Sequence, residues 1–373
     1  MTSPLQIQAA LRRDTGGPLA IETVTLEPPR VGEVLVRVVA TGICHTDVAV
    51  RDGEMPMPAP GILGHEGAGV VVAAGGDSAF KAGDPVIMSF AHCGQCRACL
   101  LGRPSDCTRF FALNFNGHRP DGSCCHSQAG QRIFGHFFGQ SSFATHALVD
   151  ERYLVPVPAD LPLESLGPLG CGIQTGAGAV LQWMKPVWGS SLAVFGLGAV
   201  GMSALMAAKL QGCDPLIAVD VQPARLALAL ELGATHVLDA RSGDVTEQIR
   251  ALTGGLGADH VVEAIGNPKH VNGCLAAVRS RGSVALLGAP RAGETVALDS
   301  ITLMRGLTIK SVVEGDAVPR VFIPELLRLH RAGRFPFEKL LRFYDFSQIN
   351  EAIDAMNRGE VIKPVLRMPG GAA

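Results

Sequence analysis

Aromatic residues are scarce in this chain, at 5% of 373 positions with only two Trp and two Tyr. Charge is also sparse, at 18%, and its 32 basic and 34 acidic residues are spread through the sequence. There is no basic stripe, which argues against a nucleic-acid partner. The opening residues, MTSPLQIQAALRRD, contain no apolar run of signal-peptide length, so the sequence predicts a cytoplasmic protein with no membrane partner. The longest apolar stretch, 192–208, carries three glycines in turn spacing and reads better as a strand, turn and helix than as a membrane span. No internal repeat or low-complexity tract is evident.

Hydrophobic residues make up 47% and glycine is abundant at 45 residues, a globular balance rich in tight turns. The length suits two domains. Up to about Val180 the pattern is of short strands and turns: 33–39 alternates apolar and polar, 69–74 is Val-rich before Gly-Gly-Asp, and 84–88 is another apolar run. From about Ser190 strands alternate with helices. Strands are expected at 192–195, 216–219, 236–238, 260–263, 283–287 and 307–313, and helices at 199–211, 225–232 and 245–252. That alternation predicts a parallel, doubly wound sheet. Helices near 320–331 and 347–358 and a strand at 363–367 follow.

Ten cysteines in a chain of this kind do not suggest a disulfide framework. Four of them, Cys93, Cys96, Cys99 and Cys107, form C-x2-C-x2-C-x7-C. Four thiolates on one loop can close a tetrahedral shell around a structural zinc ion. The competing reading is an iron–sulfur cluster, but its bacterial run has a final gap of three and a following Pro, where this chain has seven and Thr108.

Gly196-Leu197-Gly198-Ala199-Val200-Gly201 follows an apolar strand and opens a helix, the context that gives G-x-G-x-x-G its meaning as a dinucleotide-binding turn. Asp220 ends the next strand, 22 residues after Gly198. A carboxylate there can accept both ribose hydroxyls and repel a 2′-phosphate, which favours NAD over NADP. Arg225 could partly offset that repulsion.

Three further segments are conspicuous: Gly42-Ile43-Cys44-His45-Thr46-Asp47, Gly64-His65-Glu66-Gly67-Ala68-Gly69 and Gly170-Cys171-Gly172-Ile173-Gln174-Thr175. Each Cys or His alone suits a buried core position, and spacing cannot bring the segments together. Their order, with the four-cysteine lobe between the second and third, resembles the zinc-dependent medium-chain alcohol dehydrogenases. His65-Glu66-x2-Gly69-x5-Gly75 is similar to that family's zinc signature. The resemblance covers essentially the whole chain.

It implies a GroES-like, mostly-β catalytic domain over 1–174 and 313–373, with the structural zinc lobe at 90–110, and an NAD-binding Rossmann domain over 175–312. It also implies two zinc ions per subunit and a homodimer or homotetramer. By resemblance Cys44, His65 and Cys171 hold the catalytic zinc, Glu66 lies beside it, and Asp47 orients His65. Thr46 is similar to the hydroxyl that takes the alcohol proton. His45 and Lys363 resemble pyrophosphate contacts, and Thr175 a residue near the nicotinamide. Ala49 departs from the pattern: many relatives carry a His there to end the proton relay, so here the last step needs water or another group.

The stretch 166–179 and the segment Phe137-Phe138-Gly139-Gln140-Ser141-Ser142-Phe143 resemble aryl- and benzyl-alcohol dehydrogenases, and the latter also resembles relatives acting on allylic terpene alcohols. Phe90 and Phe143 fall where the family lines its substrate channel. Phe110, Phe111, Phe115, Phe134, Phe137, Phe138 and Phe143 cluster in one stretch, although each would also suit the core of the first domain. The expected reaction is reversible oxidation of a primary aromatic or allylic alcohol. Polyol, threonine and thiol-adduct formaldehyde dehydrogenases of the same superfamily, and a catalytically silent nucleotide- and zinc-binding protein, are the alternatives.

Overall fold

The structure is a computed structural model and describes residues 3–291 and 293–370. It divides into two compact units: Met1–Cys171 with Val318–Glu325 and Glu338–Ala373, and Gly172–Ala317 with Leu326–Phe337. The boundary expected at 174/175 falls at 171/172, and that expected at 312/313 falls at 317/318. The expected helix near 320–331, observed at Pro319–Arg331, is shared between the units rather than belonging to the first.

The first unit is built on two sheets. One has five strands, in the order Gly61–Ile62, Leu5–Arg12, Ala20–Leu26, His126–Gln128 and Gln131–Ile133. The other has seven and centres on Glu33–Gly42, which pairs antiparallel with Glu66–Ala74, His146–Asp150 and the C-terminal strand Lys363–Arg367. The Val-rich run of the central strand is buried almost throughout, as a strand covered on both faces requires. The last strand pairs Val365 with Gly42, setting the C-terminal segment beside the turn that leads to Cys44. Leu35, Ile43, Leu63, Phe90, Phe137 and Phe143 share one buried core, where each such side chain contributes roughly 1.5–3 kcal/mol.

One expectation fails within this unit and just beyond it. The stretch before Val180 does not stay extended: tight helical turns at Leu163–Ser165 and Gly167–Gly170 lead to a helix at Gly172–Gly178 and a π-helical turn at Ala179–Met184. Apolar runs this short look alike as strand or buried helix, so periodicity could not separate them.

The second unit carries a six-stranded sheet, parallel throughout. Its strands lie in the order His236–Asp239, Leu216–Asp220, Leu192–Phe195, Ala258–Glu263, Val278–Leu286, Thr308–Ser311. By sequence rank this is 3-2-1-4-5-6, the doubly wound order whose switch point lies beside the first strand. Local chemistry sets its helix ends. Pro223 opens the helix Pro223–Leu232 and Gly233, at φ 117°, closes it. The Asp244 carboxylate accepts the Thr246 and Glu247 N–H groups at the start of Val245–Leu252. A helix at Pro268–Ala277, capped by Asn267, was not foreseen from the sequence.

Candidate metal centres and nucleotide turn

The four-cysteine lobe keeps its ligands on one short excursion of chain. The Cys93, Cys96, Cys99 and Cys107 sulfurs all lie within 4.8 Å of one another. Cys93 Sγ is 3.9 Å from Cys99 Sγ, and Cys96 Sγ is 3.5 Å from it. A tetrahedron with Zn–S of about 2.3 Å has edges of about 3.8 Å, so one zinc ion fits; the several iron atoms of a cluster would need the sulfurs farther apart. Backbone N–H groups are aimed at the sulfurs: Cys96 N–H donates to Cys93, and Cys93 and Arg109 N–H to Cys107. The N–H groups of Cys99 and Thr108 pull the Cys96 thiol down to about 5, while burial pushes Cys99 up to about 12. The lobe thus holds negative charge that a cation would neutralise.

The second cluster draws together three distant segments. Ligand atoms of Cys44, His65, Glu66 and Cys171 all lie within 4.8 Å of one another. Asp47 ties the first two segments. One carboxylate oxygen accepts the Gly64 N–H at 2.9 Å and sits 3.0 Å from His65 Nδ1; the other accepts the Cys44 N–H at 2.9 Å, capping the helix His45–Arg51. With Nδ1 engaged, His65 Nε2 is buried and has no hydrogen-bond partner among the described residues, a cost of about 1–3 kcal/mol unless something coordinates it. An imidazole fixed in this way, beside two thiols, is a donor set suited to zinc with a position left open.

The same groups perturb one another electrostatically. The hydrogen bond with Cys171 holds the Cys44 thiol well below its usual value, and the charges of Lys363 and His65 add to this against the effect of burial. Burial opposes protonation of His65, but the Asp47 carboxylate together with Cys44 outweighs it and raises the imidazole. Burial raises Glu66, opposed by Lys363.

Lys363, expected as a pyrophosphate contact, has partners within the first unit. Its ammonium is 2% exposed and donates to Glu66 Oε1 at 2.8 Å and to the Ile43 carbonyl at 3.0 Å. Its ammonium is thus paired with the Glu66 carboxylate inside the first unit. The physical reason is register: pairing of Val365 with Gly42 sets Lys363 next to Ile43 and Glu66. Gly42 makes this possible, since a Cβ there would lie 2.0 Å from Glu66 Oε2.

Phe90 and Phe143, expected to line a substrate channel, are 1% and 0% exposed and belong to the core. Phe143 is held by its N–H to the Leu63 carbonyl and packs on Gly64. Phe138 and Phe137 both meet the His65 ring. The Phe138 ring stacks on the His65 imidazole at 4.4 Å and 25°, while Phe137 meets that imidazole edge-on at 5.3 Å. Phe110 and Phe115 pack edge-on against Phe138. The turn that achieves this has positive φ at His136, Phe138, Gly139 and Ser141, of which only the glycine is a local signal for such a backbone.

Thr46 is half-buried, with its hydroxyl 3.8 Å from Cys44 Sγ; His45 is exposed and Ala49 half-buried on the same helix. Thr175 lies half-buried on the helix Gly172–Gly178 of the second unit.

In the second unit Gly196 adopts φ +87°, and a Cβ on Gly201 would sit 1.8 Å from the Gly196 carbonyl oxygen. Nothing lies within 4 Å of where a Gly198 Cβ would point, which leaves the open approach a pyrophosphate needs at the start of Ala199–Leu210. The Asp220 carboxylate accepts the Leu197 N–H at 2.7 Å, and the Val221 and Gln222 N–H groups at 2.7 and 2.9 Å. Arg225 is 3.9 Å from it.

Comparison with known proteins agrees with this geometry. Residues 30–159 match the alcohol dehydrogenase GroES-like domain, and residues 199–330 match the zinc-binding dehydrogenase domain. A geraniol dehydrogenase of Castellaniella defragrans is 47% identical over 366 residues, 97% of this chain and 98% of its own. The crystal structure of an alcohol dehydrogenase zinc-binding domain protein from Burkholderia ambifaria superposes with a TM-score of 0.96 at 49% identity, covering 98% of this chain and all of that one. That of benzyl alcohol dehydrogenase from Acinetobacter calcoaceticus superposes at 0.95 with 42% identity and the same coverage. With both domains matched and such relatives similar over nearly their full length, the chain belongs to the zinc-dependent medium-chain alcohol dehydrogenases and is an alcohol dehydrogenase close to the geraniol and benzyl alcohol types.

Proposed function

We propose that this enzyme oxidises primary aromatic or allylic alcohols, of benzyl, cinnamyl, geraniol or perillyl type, reversibly to the aldehyde with hydride transfer to NAD. The observation that carries the substrate class is the Phe138 ring stacked on the His65 imidazole; Phe138 is 5% exposed, and Phe110, Phe115 and Phe137 pack around it as part of the core. A flat, conjugated carbinol gains more from such rings than a polyol does. The names of the geraniol and benzyl alcohol relatives support the same class.

Cys44, His65 and Cys171 would hold the catalytic zinc, and Cys93, Cys96, Cys99 and Cys107 the structural one. Bound zinc supplies Lewis acidity that makes an alcohol hydroxyl easier to ionise, and NAD supplies the hydride acceptor. Asp47 engages Nδ1 and so would orient the ring with Nε2 towards the cluster. The Thr46 hydroxyl, 3.8 Å from Cys44 Sγ, would take the substrate proton and pass it outward, with water completing the path that Ala49 cannot. The Glu66–Lys363 pair sets a buried, compensated charge next to the ligands.

Gly196, Gly198 and Gly201 would receive the pyrophosphate, and the Asp220 carboxylate supports NAD rather than NADP. His45 and Thr175 would contact the dinucleotide. Homo-oligomerisation is supported by the edge strand Thr308–Ser311 and by the exposed Ile301 and Met304 just before it. A cytoplasmic setting is supported by ten cysteines without a disulfide. No helix among the described residues is long and apolar enough to cross a membrane.

NADH formation measured over benzyl alcohol, cinnamyl alcohol, geraniol, perillyl alcohol, ethanol and sorbitol tests the reading. Highest kcat/KM is expected among the first four; a preference for ethanol or sorbitol would overturn it.

A further inference from the structure

Two buried carboxamides lie behind the two cysteine clusters, and neither side chain is a ligand. Gln140, 1% exposed, grips the backbone on both sides of Glu66: its Oε1 accepts the Gly67 N–H at 3.1 Å, and its Nε2 donates to the His65 carbonyl at 3.0 Å. The same Nε2 reaches the Ser89 carbonyl at 3.3 Å, and Ser89 Oγ donates to the Gly170 carbonyl at 2.7 Å, one residue before Cys171. One amide therefore links the segment carrying His65 to the segment carrying Cys171.

Asn114, fully buried, does the corresponding thing for the lobe. Its Oδ1 accepts the Ala91 N–H at 2.9 Å, and its Nδ2 donates to the carbonyls of Ala91 at 2.9 Å and Phe110 at 2.7 Å. Ala91 precedes Cys93 by two residues and Phe110 follows Cys107 by three, so the amide fastens the chain entering the lobe to the chain leaving it.

We propose that Gln140 and Asn114 are positioning residues that set, separately, how long each cluster keeps its metal ion: Gln140 for Cys44, His65 and Cys171, Asn114 for the four-cysteine lobe. A side-chain amide satisfies a donor and acceptors at once, so replacing it leaves several buried backbone groups without partners. The ligand-bearing segments then separate more readily, which opens a tetrahedral shell one ligand at a time. The two amides share no partner: Gln140 bonds His65, Gly67 and Ser89, while Asn114 bonds Ala91 and Phe110. Selectivity is the consequence.

The inference rests on each cluster holding one zinc ion. Zinc-loaded full-length enzyme is mixed with excess chromogenic chelator, and the two release phases are assigned with Cys44→Ser and Cys107→Ser reference proteins. Gln140→Met should speed release from the Cys44 site on the order of tenfold and leave the lobe phase unchanged. Asn114→Leu should do the reverse. Equal acceleration of both phases in either variant, as general loosening of the fold would give, overturns the proposal, and so does no acceleration at all. If the apolar variants fail to fold, Gln140→Glu and Asn114→Asp carry the same test, because each loses its donor half at nearly constant volume. A zinc content other than two per chain would instead defeat the assignment of the ions, while two ions released without selectivity would defeat the clamps.

Discussion

The two cysteine clusters of the first unit are built on opposite plans. The lobe collects four like ligands from fifteen consecutive residues, with Cys96 and Cys99 half-buried and Cys93 and Cys107 buried, and steadies them by backbone N–H groups from the same loop. The Cys44–His65–Cys171 cluster takes its ligands from segments 21 and 106 residues apart and depends on side chains for its geometry: Asp47 between the first two segments, Lys363 from the far end of the chain, Phe138 over the imidazole. A local site can be closed and self-contained. A site assembled at long range can be mixed in ligand type and left with an open position, which is what chemistry on a substrate requires.

The sharpest way to break this contrast is to remove one ligand from each cluster. His65→Ala should abolish NADH formation while the lobe keeps its zinc. Cys107→Ser should release the lobe zinc and lower the melting temperature, with activity lost only as the fold is lost. Zinc content per chain and activity, measured together, check both, and loss of both metals in either variant would show that the clusters are not independent. A smaller effect is expected from Asp47→Asn, which keeps the shape but weakens the acceptor on His65 Nδ1. Zinc affinity at that cluster should fall about 10–100-fold with the lobe unaffected, as competition against a chelator would show. The smallest concerns the ring stacked on His65. Phe138→Leu should reduce the preference for benzyl alcohol over ethanol by roughly 2- to 12-fold in kcat/KM, the reach of an aromatic contact worth about 0.5–1.5 kcal/mol. An unchanged ratio would remove Phe138 from the substrate's surroundings.

The same contrast explains what could be read in advance. The lobe and the glycine turn were legible because their residues are close in sequence and the spacing itself encodes the geometry. The alternating strands and helices after Ser190 were legible because their apolar periods are long enough to distinguish. Cys44, His65 and Cys171 came into view only through likeness to a family, since no spacing predicts that pairing of Glu33–Gly42 with Glu66–Ala74 will align two of them. The roles of Lys363, Phe138 and Gln140 were out of reach for a related reason. Lys363 is placed by an inter-strand register, and the other two by a turn in which Gly139 is the one glycine among four left-handed residues, so His136, Phe138 and Ser141 left no mark in the sequence.

Asp220 carries a practical lesson for coenzyme engineering. Its carboxylate accepts three backbone N–H groups, one of them from Leu197 inside the glycine turn. Exchanging it for a small neutral residue to admit a phosphorylated coenzyme would remove the negative charge and, with it, the brace that shapes the turn. A redesign for NADP therefore has to restore those acceptors, not simply discharge the site.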